Sequence, residues 1–139
     1  MTAEDVAAVA ELEALAFSTP WRADTFRTLL ARPGAELHVI EADGELAGYA
    51  VLWCILDQGE LANIAVREAL RGRGLGGILL DHVLDVARVR GVRRLFLEVR
   101  LSNGAATRLY DSRGFTEIGL RKDYYERPRE DARVLEKRL

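Results

Sequence analysis

The sequence predicts a single α+β domain over residues 1–139, with a mixed α/β order in which antiparallel strands come first and a parallel strand–helix–strand crossover follows. Three observations predict this fold: an Asp-Gly turn between two apolar runs, a glycine-dense loop between a strand and a helix, and a second apolar strand after that helix. The chain is 49% hydrophobic and 30% charged, which is ordinary globular usage, and it has no apolar run of the roughly 18 residues that a membrane span needs.

Apolar residues at helical spacing predict two helices near the N-terminus. The spacing holds over residues 6–17, and Thr2 with Asp5 has the form of a capping box in front of them. Thr19 followed by Pro20 predicts that a second helix begins there, because threonine is a good N-cap and proline suits the first helical turn.

An antiparallel meander of three strands is predicted next. Segments 37–42 and 45–56 are rich in aliphatic and aromatic residues and flank Asp43-Gly44, which is the strongest two-residue hairpin signal. A turn at 57–59 and a short apolar strand over 61–66 extend the hairpin to a third strand.

Helices and strands alternate in the second half of the chain. The glycine-dense segment 72–77 is followed by a helix with a wide apolar face that ends at Gly91, and then by a buried strand over 95–99. This order favours a parallel crossover. The remaining predicted elements are a helix over 102–113 and strands over 115–120 and 133–139.

Charge and cysteine content narrow the class of function. The 20 Lys and Arg residues against 22 Asp and Glu residues give a net charge of −2, so the clustered cations of a general nucleic-acid binder are not expected. With one cysteine and two histidines, the chain has few candidate ligands for a metal site and few candidate residues for a nucleophilic triad. We therefore expect chemistry based on carboxylates, tyrosines, backbone amides and a bound cofactor. No secretion signal is readable, which favours a cytoplasmic setting without membrane contact.

The glycine-dense loop is the strongest functional signal. Residues 71–77 read Arg-Gly-Arg-Gly-Leu-Gly-Gly and lie between a strand and the start of a helix. Glycines let backbone N–H groups face a ligand, and a helix N-terminus carries partial positive charge, to which Arg71 and Arg73 add. The pattern indicates a phosphate or pyrophosphate site.

A dinucleotide-binding protein is an alternative interpretation of the same loop. Gly72, Gly74 and Gly77 match G-x-G-x-x-G, and Glu98 follows about 20 residues later, as that fingerprint requires. However, residues 67–71 separate the loop from the preceding strand, and three antiparallel strands come before it, unlike a dinucleotide fold. A P-loop is excluded because neither Gly-Lys-Ser nor Gly-Lys-Thr occurs.

The pattern Arg71-x-x-Gly74-x-Gly76, after a strand ending in Asn63-Ile64-Ala65-Val66, resembles the acetyl-CoA pyrophosphate loop of the GNAT family of N-acetyltransferases. The resemblance implies the GNAT fold, with a central, mostly antiparallel sheet, flanking helices, and the crossover at the acetyl-CoA site. Within the family the sequence is most similar to the RimI-type alanine N-acetyltransferases, which modify the N-terminus of a small-subunit ribosomal protein. The motifs that carry this similarity are Pro20-Trp21, Leu97-Glu98-Val99-Arg100, Ser102-Asn103, Leu109-Tyr110, Gly114-Phe115, Tyr124-Tyr125 and Glu130-Asp131-Ala132.

The resemblance also implies roles for individual residues, with acetyl-CoA and a protein N-terminus as partners, the latter possibly that of a ribosomal protein. Glu98 would accept the proton of the acceptor amine, and Tyr110 would protonate the leaving thiolate. The expected acetyl-CoA contacts are Ile64, Ala65 and Val66 through their backbone, the loop residues Arg71, Gly72, Arg73, Gly74, Leu75, Gly76 and Gly77, and Asn103. No metal is expected.

Residue chemistry allows these roles and leaves alternatives open. Glu98 interrupts an apolar strand and faces the same side as Phe96 and Arg100, so it is either a base or one half of an ion pair with Arg100 or another arginine. Tyr110 is either an acid or a core residue. Glu60 is a competing base, ranked lower because it lies beside a turn.

The acceptor is less well defined than the donor. The connection over 126–129 looks short for the ribosomal enzymes, so a protein N-terminus, a lysine side chain and a small amine all remain possible acceptors. Trp21, Tyr124 and Tyr125 are candidate walls of the acceptor site. A non-catalytic module that binds acyl-CoA is the alternative from a different class of function.

Overall fold

Four helices and six strands form in the computed structural model, which describes residues 1–139. The helices span Val6–Ala16 (α1), Ala23–Leu30 (α2), Leu75–Val89 (α3) and Gly104–Ser112 (α4). The strands span Ala35–Ala42 (β1), Glu45–Ile55 (β2), Gln58–Val66 (β3), Arg94–Arg100 (β4), Thr116–Tyr125 (β5) and Glu130–Arg138 (β6). Single 3₁₀ turns over Ala3–Asp5 and Glu68–Leu70 precede α1 and the glycine loop.

All six strands share one sheet in the order β1-β2-β3-β4-β6-β5. Neighbouring strands are antiparallel except for β3 and β4, which are parallel and pair only between Gln58–Glu60 and Arg94–Phe96. Beyond this short ladder β3 pairs with β2 alone and β4 with β6 alone, so the two strands diverge. The predicted crossover and the mostly antiparallel sheet are confirmed.

The two faces of the sheet carry separate hydrophobic cores. One core joins α3 and α4 to the sheet through side chains such as Leu80, Leu95 and Leu97. The other joins α1 and α2 to β1–β3 and includes Val9 and Phe26. Since Leu95, Leu97 and Val99 face the first core, alternation along β4 directs Glu98 to the opposite face.

The β1–β2 hairpin confirms its sequence signal. Asp43 and Gly44 have φ angles of 55° and 79°, which is the left-handed pair that a two-residue hairpin turn needs. The next turn lies at 56–57 rather than 57–59, because Leu56 takes the positive φ, and β3 begins at Gln58, three residues before the predicted start. Glu60 therefore lies inside a strand rather than beside a turn.

The start of α2 was predicted wrongly. The helix begins at Ala23 after an extended Arg22, not at the Thr19-Pro20 pair. The Trp21 backbone N–H donates to the Glu13 carboxylate at 2.9 Å, and the Trp21 ring packs on Phe26 with centroids 5.6 Å apart. These contacts keep the segment before Ala23 as a link rather than a first helical turn.

The last two strands are longer than predicted. β5 continues past Leu120 to Tyr125, and β6 begins at Glu130 rather than at Arg133. The extra part of β5 contains Arg121-Lys122-Asp123, and β5 is an exposed edge strand. An edge strand with two solvated faces has no apolar alternation, which is why the pattern did not mark its end.

Candidate active site

The glycine loop forms the first part of the site. Gly72 and Gly74 have φ angles of 79° and 78°, and Gly74 is the N-cap of α3. Within 72–77 no backbone N–H donates to a protein acceptor, and the first that does is Ile78 N–H, to Gly74 O at 3.1 Å. A row of unpaired N–H groups at a helix start is an anion site, so these residues fit the pyrophosphate of a CoA ester.

The two loop arginines have different surroundings. Arg71 Nε donates to Val66 O at 3.2 Å, which folds the loop back onto the end of β3. Arg73 donates to Asp43 at 2.7 Å, and this hydrogen bond and ion pair lower the pKa of Asp43. The loop is thereby tied to the β1–β2 turn.

The C-terminal half of α4 lies beside the start of α3. A Cβ on Gly77 would lie 2.4 Å from an Arg113 guanidinium nitrogen, and one on Gly76 would lie 3.7 Å from Leu109. The Arg113 nitrogen is the movable end of a flexible side chain and 3.7 Å is an ordinary van der Waals distance, so neither contact requires glycine. Leu109 and Arg113 therefore place this part of α4 next to the anion site.

One face of α4 carries three polar side chains. Asn103, Thr107 and Tyr110 share this face at helical spacing. Asn103 Oδ1 accepts the Ala106 N–H at 3.1 Å as the helix cap, while the buried Thr107 Oγ1 has no partner. A buried hydroxyl without a partner is uncommon, and because this oxygen is closed off from solvent, a ligand reaches it only if neighbouring side chains move.

Tyr110 combines a buried ring with an uncommitted hydroxyl. The residue is 5% exposed, and its ring contacts Phe115 edge to face with centroids 5.5 Å apart. Its hydroxyl makes no hydrogen bond to another protein group, and the residue keeps a small exposed area. Burial, followed by the nearby Tyr125, raises the pKa of Tyr110 and keeps it protonated.

A cavity of about 760 Å³ holds both candidate carboxylates. Glu60 pairs with Phe96 across the β3–β4 ladder, two residues before Glu98, so the two carboxylates line one wall on adjacent strands. Although Glu60 retains exposed surface, desolvation and then the charge of Glu98 raise the pKa of Glu60. The structure thus places Glu60, the competing base of the sequence analysis, in the same cavity as Glu98.

Two residues of β5 lie beside Glu98. Arg121 Nε lies 3.1 Å from Glu98 Oε1. The Tyr124 hydroxyl lies near the same carboxylate, and its interaction with Glu98, followed by burial, raises the pKa of Tyr124 to about 12. Tyr124 also lines the cavity, whereas Trp21 does not.

Arg100 does not pair with Glu98, so the ion pair that the sequence allowed for Glu98 is made by another arginine, Arg121. Its guanidinium lies 3.3 Å from Glu130, stacks on Tyr125 at 4.4 Å, and donates to Ser18 Oγ at 3.1 Å and to Glu126 O at 2.9 Å. These contacts join the link between α1 and α2 to the β5–β6 turn on the same side of the sheet.

Sequence reasoning missed four residues of this region: Glu13, Asn63, Thr107 and Arg121. Arg121 and Glu98 are separated by 22 intervening residues, and Glu13 and Asn63 by 49, so no local pattern links them. Their roles arise from sheet order and packing.

Comparison with known proteins agrees with this geometry. Residues 6–115 match the model of the Acetyltransferase (GNAT) family. The ribosomal protein bS18-alanine N-acetyltransferase of Escherichia coli K12 is 38% identical over 133 residues, which is 94% of this chain and 89% of that protein. The crystal structure of the Escherichia coli ribosomal-protein-S18-alanine N-acetyltransferase superposes with a TM-score of 0.91 at 36% identity, covering 99% of this chain and 90% of that one.

This chain belongs to the GNAT family, and it is an N-acetyltransferase. Enzymes of the family use acetyl-CoA, and a GNAT acetyltransferase from Elizabethkingia anophelis with acetyl-CoA bound superposes with a TM-score of 0.77 at 26% identity, over 93% of this chain and 89% of that one. No helix has the length and apolar character to cross a membrane. No group of three or more His, Cys, Asp or Glu side chains is arranged to hold a metal ion.

Proposed function

We propose that this enzyme transfers the acetyl group of acetyl-CoA directly to the N-terminal α-amine of a protein that begins with alanine, such as ribosomal protein bS18. The observation that carries the proposal is the 38% identity over 94% of the chain to a protein named for that reaction. The geometry is compatible with it, because the carboxylate cavity lies at the paired start of β3 and the anion loop follows the end of the same strand, so residues 61–66 run from one to the other. A cytoplasmic setting is part of the proposal.

The donor side is assigned to the β3 edge, the glycine loop and α4. Backbone groups of residues 64–66 are free of β4 and would pair with the pantetheine arm, while residues 71–77 would hold the pyrophosphate. Asn103 would contact the cofactor from α4. When bound, acetyl-CoA supplies an acetyl thioester activated toward an amine.

Glu98 is assigned as the proton acceptor. An α-amino group has a pKa of about 7.7–8.0, so a carboxylate reached directly or through one water can take its proton near neutral pH. The Arg121 ion pair orients the Glu98 carboxylate in the cavity. Glu60, on the same wall, contributes a second negative charge that attracts a cationic amine.

Tyr110 is assigned as the proton donor to the leaving sulfur, and a backbone N–H of residues 64–66 as the donor to the thioester carbonyl. The Tyr110 hydroxyl has no protein partner, and the residue keeps a small exposed area. Its raised pKa keeps it protonated near neutral pH, and because a phenol is a weaker acid than a thiol, the transfer depends on direct contact with the sulfur as the C–S bond breaks. Direct transfer of this kind needs neither a covalent nucleophile nor a metal.

A peptide panel tests the proposed acceptor. The enzyme is incubated with acetyl-CoA and peptides that differ in their first residue, with lysines placed internally, and products are sequenced by mass spectrometry. We expect acetylation of the first residue with a preference for alanine. Acetylation of the lysines, or turnover confined to polyamines and amino sugars, would replace the proposed acceptor, and CoA binding without any turnover would indicate a non-catalytic module.

A further inference from the structure

Glu13 on α1 is a buried carboxylate without a cationic partner. It is 1% exposed and lies in the core beneath α1 and α2, where it forms no ion pair. Three neutral groups donate to it instead: the Tyr49 hydroxyl, the Asn63 amide at 2.6 Å and the Trp21 N–H at 2.9 Å. A buried charge is costly unless it is hydrogen-bonded, so this arrangement requires all three partners to hold their places.

Asn63 lies at a bulge in β3. Val51 pairs with Asn63 and Leu52 with Leu61, which leaves Ala62 as an extra residue. Without the bulge, alternation would place Asn63 on the same face as Leu61, in the apolar core of α3. The extra residue turns the Asn63 amide to the α1 face, where it donates to Glu13 at 2.6 Å. The hydrogen bond therefore stabilises the bulged register over the regular one.

The bulge lies where β3 separates from β4. The last parallel pair is Glu60 with Phe96, and the bulge follows at Ala62. A bulge bends its strand and re-aims the backbone groups that follow. Those groups belong to residues 64–66, which are assigned above to the pantetheine arm and to the thioester carbonyl.

Glu13 also reaches the acceptor side. The Trp21 N–H that donates to it belongs to the link between α1 and α2, and Ser18 of that link contacts Arg100 and the β5–β6 turn. Tyr49 anchors the same carboxylate to β2, and burial followed by the bond to Glu13 raises the pKa of Tyr49, so it remains a donor. The Glu13 carboxylate thus connects β3, on the donor side, with the link between α1 and α2, on the acceptor side.

We propose that Glu13 is a positioning residue for acetyl transfer, which fixes the β3 bulge so that the backbone after it faces the acetyl carbonyl. The inference rests on the proposed function, which supplies the acceptor amine, and on membership of the GNAT family, which supplies acetyl-CoA as the acetyl donor. Glu13 touches neither substrate; it acts through Asn63.

Substitutions at Glu13 and Asn63 test the proposal by exchanging the hydrogen-bond donor and the hydrogen-bond acceptor of this pair. Glu13→Gln replaces one acceptor oxygen with a donor, and Asn63→Asp places a carboxylate beside Glu13. The double variant Glu13→Gln/Asn63→Asp restores one donor–acceptor pair with reversed polarity. Tyr49→Phe removes one donor and leaves Glu13 in place, and Glu11→Gln, on the exposed face of the same helix, is the matched control.

The readouts separate positioning from folding. The affinity for CoA, which lacks the acetyl carbonyl, is measured by calorimetry, and kcat is normalised to the fraction of protein that binds CoA. We expect Glu13→Gln to lower this kcat at least about 10-fold with less than about a 3-fold change in the Kd for CoA, since the lost alignment acts on the transition state. Tyr49→Phe is expected to have a smaller effect in the same direction, Glu11→Gln none, and the double variant is expected to be faster than Glu13→Gln.

A second readout needs no acceptor. Proton–nitrogen NMR spectra of the CoA and acetyl-CoA complexes differ by the acetyl group alone, and we expect amides of residues 62–66 to differ between them in the wild type and not in Glu13→Gln. Retained kcat in Glu13→Gln, a double variant no faster than Glu13→Gln, or unchanged NMR differences would overturn the proposal. A wild-type enzyme inactive on alanine peptides would count against the proposed acceptor, and the NMR comparison would still decide the role of Glu13.

Discussion

Arg121 on β5 holds Glu98 on β4 by an ion pair, with Nε 3.1 Å from Oε1, although β6 lies between the two strands. The Glu98 side chain is 17% exposed and that of Arg121 is 59% exposed, so the carboxylate sits inside the cavity and the cation covers its outer edge. Glu60 shares the cavity. The relative effects of substituting these residues therefore test which carboxylate is the base.

Glu98→Gln is expected to lower kcat/KM for an alanine peptide by about 100-fold or more, because general-base catalysis typically contributes 10²- to 10⁴-fold. The amide keeps the size of the side chain, so the thermal shift caused by CoA should persist. Initial rates from thiol release measure the loss.

Glu60→Gln provides the comparison for the base assignment. We expect less than about a 10-fold loss, because the variant removes an attractive charge but not the proton acceptor. A larger loss in Glu60→Gln than in Glu98→Gln would transfer the role of base to Glu60.

Glu60→Gln is also expected to stabilise the protein at pH 7. Desolvation and the charge of Glu98 raise the folded-state pKa of Glu60 above its ordinary 4.5, so the folded protein binds this proton more tightly than the unfolded chain does. Wild-type stability therefore falls as pH rises from 4.5 through the raised pKa, and the glutamine variant escapes that fall.

The gain in stability should be small because Glu60 is exposed. We expect a rise in Tm of about 1–3 °C at pH 7 that vanishes at about pH 4, where both states of the wild type are protonated. Calorimetry across this pH range measures it. A lower Tm for the variant at pH 7 would show that Glu60 is stabilised rather than destabilised by its surroundings.

Tyr110→Phe is expected to reduce kcat at least about 10-fold with little change in Tm or in CoA affinity. The hydroxyl makes no hydrogen bond in the protein, so its removal leaves no partner unpaired. Steady-state kinetics and thermal unfolding of the same preparation measure both quantities. Unchanged kcat would make Tyr110 a core residue only.

Gly74→Ala is expected to weaken CoA binding in addition to its effect on stability. Gly74 has a φ of 78° and open space where a Cβ would lie, so alanine there is strained by about 1 kcal/mol without a steric clash. Gly91→Ala is the matched control, because Gly91 has a φ of 80°, equally open space, and lies beyond the other end of α3.

Both glycine variants should lose similar stability by thermal unfolding, and calorimetry with CoA should show a loss of affinity in Gly74→Ala alone. Equal CoA affinity in the two variants would mean that the loop conformation at Gly74 is unimportant for the ligand.

Local signals predicted much of the fold. The Asp43-Gly44 turn, the glycine loop and the apolar face of α3 each depend on neighbouring residues, and each is confirmed. The start of α2 was mispredicted because Glu13, eight positions away, captures the Trp21 N–H. The contact between Trp21 and Glu13 outweighed the local preference of Thr19-Pro20 for starting a helix.

The part of the site that lies in one stretch of chain was predictable from the sequence, and the part that distant segments form together was not. Residues 71–77 form the anion loop from one stretch of chain, whereas the cavity joins Glu60, Glu98 and Arg121 from three strands. Apolar periodicity cannot show that an exposed edge strand supplies the arginine, or that a bulge turns Asn63 toward Glu13.

The most direct test of the proposed function is a competition between the two ends of a single peptide. A peptide with an N-terminal alanine and one internal lysine is incubated with enzyme and acetyl-CoA beside the same peptide with its N-terminus already blocked. We predict that the first peptide gains one acetyl group on alanine and that the blocked peptide gains none. Acetylation of the lysine in the blocked peptide, at a rate equal to that of the alanine, would contradict the proposed acceptor.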